Sequence, residues 1–151
     1  MPDPIRFRHS CGLQDGRANH LSCTMRVANM AIVIVDDSAT ALIVLKSVAA
    51  QRREREVVPF SKASDALAFL ADKPADVIVS DYSMPEMDGI QFTRAVREFA
   101  HLAATPIVMV TAATEPEVTS NARAAGVTHF MHKPINALFF KTLLNELLGP
   151  R

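Results

Sequence analysis

The chain has 151 residues, of which 49% are hydrophobic and 21% charged, enough for one domain with a full apolar core and unlike a disordered segment. Sixteen Lys and Arg balance sixteen Asp and Glu, so no overall field draws the molecule to nucleic acid or to an anionic membrane surface. No apolar run approaches the roughly 20 residues of a membrane helix, and the N-terminus lacks the apolar centre of a signal peptide, so a cytoplasmic location is expected.

Residues 1–29 mix Arg, Asp, Gly, Asn and Ser without periodicity and read as a disordered leader, ahead of a domain spanning 30–149. Both cysteines lie in this leader. Cys11 and Cys23, with His9 and His20, resemble a loose metal quartet, although the spacing matches no standard zinc module. Met25 and Met30 stand just before the first strand, so the leader is open to being an over-extended start. Mass spectrometry of the natively expressed protein settles that point, and an intact Met1 excludes a later start.

From residue 31 strand and helix patterns alternate. "AIVIV" (31–35) is a continuous apolar run ending in Asp36 and Asp37. The helix predicted over 38–51 places Ala41, Val44, Leu45 and Val48 on one face, with Leu42 and Ile43 off it, toward solvent; Asp37 or Ser38 suits its N-cap. "RRERE" (52–56) reads as a solvated helix end. "EVVPF" (56–60) is a short strand whose Pro59 suits a sheet edge, because proline cannot donate to a ladder.

A helix over 64–71 precedes the strand "ADVIVSD" (75–81). A helix over 89–100 follows, with Asp88 and Gln91 spaced as a capping box. The strand 105–112 leads to a helix over 114–126, with Thr114 as N-cap, Glu117 at N3 and Gly126 as the stop. The strand 127–133 and a helix over 136–148 complete the pattern. Apolar runs without alternation mark strands covered on both faces, so right-handed crossovers predict a five-stranded parallel sheet with helices on either side.

In such a sheet the ligand crevice lies beyond the carboxyl ends of the strands. Asp36, Asp37, Asp81, Thr111 and Lys133 all stand at those ends. Singly, each has an ordinary reading: a helix cap, a strand residue, a surface lysine. Jointly they place three carboxylates, a hydroxyl and an ammonium at one edge. Three ionised carboxylates repel strongly, and one lysine offsets only part of that charge, so the cluster calls for a hard cation such as Mg²⁺. With metal and ammonium present the pocket becomes attractive to a phosphoryl group, and a carboxylate there can act as nucleophile.

These residues resemble the receiver domain of two-component response regulators. The resemblance covers about residues 31–148 and rests on "VDDS" (35–38), "SDYSMPEMDG" (80–89), "VTA" (110–112) and "HKP" (132–134). It implies a flavodoxin-like (βα)5 fold with strand order 2-1-3-4-5, the order for which the chemotaxis receiver is a standard example. It also implies that Asp81 is the phospho-acceptor, supplied by a histidine kinase or phosphotransfer protein. Asp36, Asp37, Asp81 and the backbone carbonyl of Ser83 would hold Mg²⁺.

By the same resemblance Thr111, with small Ala112 beside it, and Lys133 would contact the phosphoryl group, and Pro134 would follow a cis bond. Phe130 stands at the family's aromatic switch position, without a hydroxyl; a plain core phenylalanine is the competing reading. Leu42 and Ile43 are the candidate kinase-docking pair. The face of the fourth helix, fifth strand and fifth helix is the family's usual output surface, leaving a homodimer possible.

The segment "TPIVMVTAATEPEV" is also similar to receivers that precede cyclic-di-GMP phosphodiesterase domains. No turnover enzyme is expected. An aspartate-nucleophile phosphatase wants a second Asp two positions after the first, where this chain has Ser83. A flavodoxin-like cofactor binder wants a phosphate cradle where this chain has two carboxylates. A receiver acting as an unphosphorylated interaction module is the remaining alternative.

Overall fold

The computed structural model describes residues 31–149, so the His9, Cys11, His20 and Cys23 quartet and the leader lie outside the described residues. Strands β1 (Ala31–Val35), β2 (Glu56–Phe60), β3 (Val77–Asp81), β4 (Ile107–Thr111) and β5 (His129–His132) alternate with five α-helices. These are α1 (Ala39–Ala49), α2 (Ala63–Leu70), α3 (Gly89–Arg97), α4 (Pro116–Ala125) and α5 (Ala137–Leu148); a 3-10 turn at Ala100–Leu102 follows α3. All strand pairs are parallel, in the order β2-β1-β3-β4-β5. Pro59 therefore sits on an edge strand, where its missing N–H costs no ladder bond.

The apolar strand runs are explained by two cores, one on each sheet face. Val33, Val35, Ile78, Ile107 and Met109 pack with α2, α3 and α4. The alternate residues Ile32, Ile34, Val77, Val79, Val108, Val110 and Met131 pack with Leu45 and Val48 of α1 and with Phe140, Leu143 and Leu144 of α5. A strand covered on both sides has no position to spare for a charge until its end. Polar side chains are accordingly displaced to the carboxyl edge, which is where the crevice forms.

The helix ends follow local chemistry. Ser38 caps α1 through its hydroxyl, which accepts from Ala41 N at 3.3 Å. Asp88 and Gln91 form the expected capping box on α3. Thr114 does not cap α4. The helix starts at Pro116, with Glu115 as N-cap and no side-chain cap bond, because proline's fixed φ and missing N–H suit the first helical position. At the other end Gly126 takes φ 124°, open to glycine, and a Cβ there would meet the Arg97 side chain at 2.7 Å.

Three packing expectations change. The stripe of α1 is Ala41, Leu45, Val48 and Ala49, and Val44 is only half-buried. Leu42, expected toward solvent, is half-buried against the α1/α5 core, while Ile43 is 68% exposed. The "RRERE" run is a solvated end only in part: Arg53, Glu54 and Glu56 are exposed, and the two other arginines turn inward. Arg52 is buried, its guanidinium donating to Asn145 Oδ1 at 2.9 Å, Gly149 O at 2.7 Å and Leu148 O at 3.4 Å. Arg55 pairs with Asp76. Free carbonyls at the end of α5 attract the first arginine, a cause that charge pattern along the chain does not display.

Candidate functional site

The strand ends bring the predicted polar residues together. Asp36, Asp37 and Asp81 each offer a carboxylate oxygen within 4.8 Å of the others. Asp36 is wholly buried and Asp81 is 3% exposed, whereas Asp37 is exposed. Alternation explains the convergence. Asp36 continues the parity of Ile32 and Ile34, and Asp81 that of Val77 and Val79, so both leave the sheet on the α1/α5 side. Lys133, two residues past Met131, leaves on that side too. Its Nζ lies 2.9 Å from Asp81 Oδ1. The bond from Lys133 N to Thr111 O at 2.9 Å ties the end of β5 to β4, and the Lys133–Pro134 peptide is cis.

The electrostatics of this cluster are unfavourable without a cation. Burial pushes the Asp36 carboxyl up to about 6; the Ser38 N–H opposes this, Asp81 adds to it, Lys133 opposes and Asp37 adds again. Asp36 Oδ1 accepts from Ser38 N at 2.8 Å, but Oδ2 is buried and without a hydrogen bond. Burial alone would lower Lys133, yet its bond to Asp81 and the charges of Asp81, Asp36 and Asp37 leave it raised, held as an ammonium. A hard divalent cation fits this donor set, because it gives an unsatisfied buried oxygen a partner and offsets the repulsion among three acids.

Around the triad lie further groups. Thr111 is buried, and its Oγ1 accepts from Ala113 N at 2.9 Å, which leaves the hydroxyl proton free to be donated elsewhere. Ser83 and Ala112 are exposed on the loops after β3 and β4. Phe130 is half-buried against the α2–α4 core, with the Arg123 guanidinium 4.9 Å from its ring centroid. A cleft of about 380 Å³ adjoins Asp37, lined by Lys62, Met84 and Glu86 among others. A second, of about 290 Å³, runs from Ser38 and Val44 to Lys133, Pro134 and Ile135.

A family model described as the response regulator receiver domain matches residues 32–145. The chain belongs to that family. Among its relatives, chemotaxis protein CheY of Pseudomonas aeruginosa is 31% identical over 118 residues, covering 78% of this chain and 95% of that one. The cyclic di-GMP phosphodiesterase response regulator RpfG of Xanthomonas campestris is 33% identical over 121 residues, covering 80% of this chain but 32% of its own. The receiver thus spans nearly all of some relatives and about a third of others. The solved structure of Vibrio cholerae CheY4 superposes with a TM-score of 0.73 at 32% identity, covering 80% of this chain and 99% of that one.

The receiver's acidic triad and its lysine were legible as strand-end residues. Three features were not: the burial of Asp36 against the exposure of Asp37, the Arg123–Phe130 contact, and the packing beneath Asp81 formed by Ser80 and Gly89. The "DG" pair at 88–89 was a detectable signal for the last, and helix capping accounted for only its aspartate. Among the described residues no helix is long and apolar enough to cross a membrane.

Proposed function

We propose that this receiver, taken as residues 30–149 behind a leader, accepts a phosphoryl group on Asp81 from a phosphohistidine of a histidine kinase or phosphotransfer protein. A carboxylate oxygen of Asp81 attacks phosphorus, an O–P bond forms, the N–P bond breaks, and the imidazole leaves with the bonding pair. The observation that carries this reading is the ion pair of Lys133 with the buried Asp81 inside a three-carboxylate pocket. Asp36, Asp37, Asp81 and the Ser83 carbonyl are the groups that would hold Mg²⁺. When bound, that ion neutralises charge on the phosphoryl oxygens.

The remaining steps belong to the chain's own residues. Lys133 transfers its contact from Asp81 to a phosphoryl oxygen. Thr111 donates the hydroxyl proton that Ala113 leaves free, and small Ala112 leaves room beside the group. The added charge of about −1.5 to −2 biases the loop after β4, and Phe130 turns toward the space it vacates, exposing a changed α4–β5–α5 face to an output partner or a second copy. Ile43 is the docking residue on α1. Leu42, half-buried against the core, supports that helix from its side.

The test is labelling by phosphoramidate with and without Mg²⁺. Asp81→Asn is expected to keep the fold and lose labelling, and labelling at the wild-type level overturns the assignment.

A further inference from the structure

What holds Asp81 in place lies on the sheet face opposite its carboxylate. Ser80 shares the parity of Ile78, on the α2–α4 side. It is fully buried, and its Oγ donates to the Asp81 carbonyl oxygen at 3.0 Å. A hydroxyl inside a strand buries less apolar area than valine or isoleucine and needs a partner, so that bond accounts for its presence. The next residue is held through both its backbone groups: Tyr82 N donates to Val110 O at 2.9 Å, and Gly89 N donates to Tyr82 O at 2.7 Å.

Gly89 opens α3 without a positive φ, so backbone conformation does not demand glycine. Space does. A Cβ at this position would fall 2.7 Å from Asp81 O, 2.9 Å from Met109 Cε and 3.0 Å from Tyr82 Cα. Met109 can swing aside; the two backbone atoms cannot. Helix α3 has little freedom to retreat, because Phe92 and Val96 are buried in the core beneath the sheet, while the Asp88–Gln91 box and Thr93 Oγ1 on Gly89 O at 2.8 Å stiffen its first turn.

We infer that Gly89 and Ser80 are positioning residues that seat the Asp81 main chain and thereby set the place of its carboxylate among Asp36, Asp37 and Lys133. This rests on the reading of Asp81 as acceptor and metal ligand. A methyl at position 89 displaces the end of β3 by about half an ångström, and since a misplacement of about 1 Å can cost a hundredfold, the expected loss is about tenfold.

The chain has one tyrosine and no tryptophan, so its emission reports Tyr82, next to Asp81, and follows Mg²⁺ titration directly. Gly89→Ala is expected to slow phosphoramidate labelling about tenfold and to weaken Mg²⁺ binding several-fold; Ser80→Ala is expected to lower both about two- to fivefold. Val96→Ala, a cavity in α3 away from the site, lowers stability and changes neither. Adding Met109→Ala to Gly89→Ala leaves the defect in place. Wild-type Mg²⁺ affinity in both single variants, or recovery through Met109→Ala, overturns the inference. Should Gly89→Ala not fold, Ser80→Ala decides alone, and no change in it is fatal. Full labelling of Asp81→Asn rejects the acceptor assignment, not the seat, which the Mg²⁺ titration then judges by itself.

Discussion

At the scale of single residues, Asp36 concentrates the tension of the site. It is wholly buried, one of its oxygens lacks a hydrogen bond, and its carboxyl is pushed up to about 6. A carboxyl raised in the folded state favours folding while protonated, so its contribution is present at pH below the ordinary carboxylate range and is lost as pH rises through about 6. The metal-free protein is therefore expected to lose stability from about pH 4 to about pH 7, by up to about 3 kcal/mol from this group. Asp36→Asn keeps the acceptor for Ser38 N and removes the charge. It should stabilise the metal-free protein by about 1–3 kcal/mol at about pH 7.5, with the gain gone at about pH 4, as read by urea unfolding. The identity of this residue was readable from the sequence, but its burial was not. Asp36 and Asp37 are adjacent acids of identical composition, and only the inward parity of β1 separates them.

At the scale of elements, two arginines act as internal caps. Arg52 closes the last carbonyls of α5 from the far side of α1, and Arg97 donates from α3 to Leu102 O at 2.7 Å and to Gly126 O at 2.7 Å. Replacing Arg52 with methionine keeps most of the volume and leaves those carbonyls unsatisfied, so a loss of about 1–3 kcal/mol is expected by chemical denaturation. Helix α1 presents Ile43 to solvent while Leu42 supports it from within. Ile43→Lys alone should leave stability within about 0.5 kcal/mol and phosphoramidate labelling unchanged, while slowing transfer from the cognate kinase. Equal slowing with both donors would point to damage to the site instead. The alternation of strands and helices was readable from periodicity, as was the capping box on α3. The N-cap of α4 falls one residue later than expected, at Glu115 instead of Thr114, because helix-start chemistry favours Pro116 at the first helical position.

At the scale of the whole molecule, two cores hold one sheet so that its carboxyl edge can carry incompatible charges. A cation that binds this folded edge and not the open chain stabilises by mass action, by about 2.7 kcal/mol at a hundredfold excess over its Kd. Mg²⁺ is thus expected to raise the midpoint of unfolding at about pH 7.5, and to do so weakly at about pH 5, where Asp36 is protonated and binds less readily. A calorimetric series across pH with and without Mg²⁺ checks both statements. An equal rise at the two pH values would mean that the ion acts elsewhere. The same receiver pattern covers 95% of a chemotaxis relative and 32% of a larger response regulator.

The sequence alone determined the parallel sheet, its strand order through family resemblance, and the gathering of Asp36, Asp37, Asp81, Thr111 and Lys133 at one edge. Periodicity, a property of neighbours in sequence, carries the sheet and the strand ends, whereas the strand order rests on the motifs that mark the family. Tertiary structure alone decided that Asp36 is buried and Asp37 is not, that Leu42 turns inward, that Arg52 caps a helix more than ninety residues away, and that Gly89 must lack a side chain. Each of those depends on which atoms from distant segments occupy the same few ångströms, and packing of that kind leaves no periodic trace in the chain.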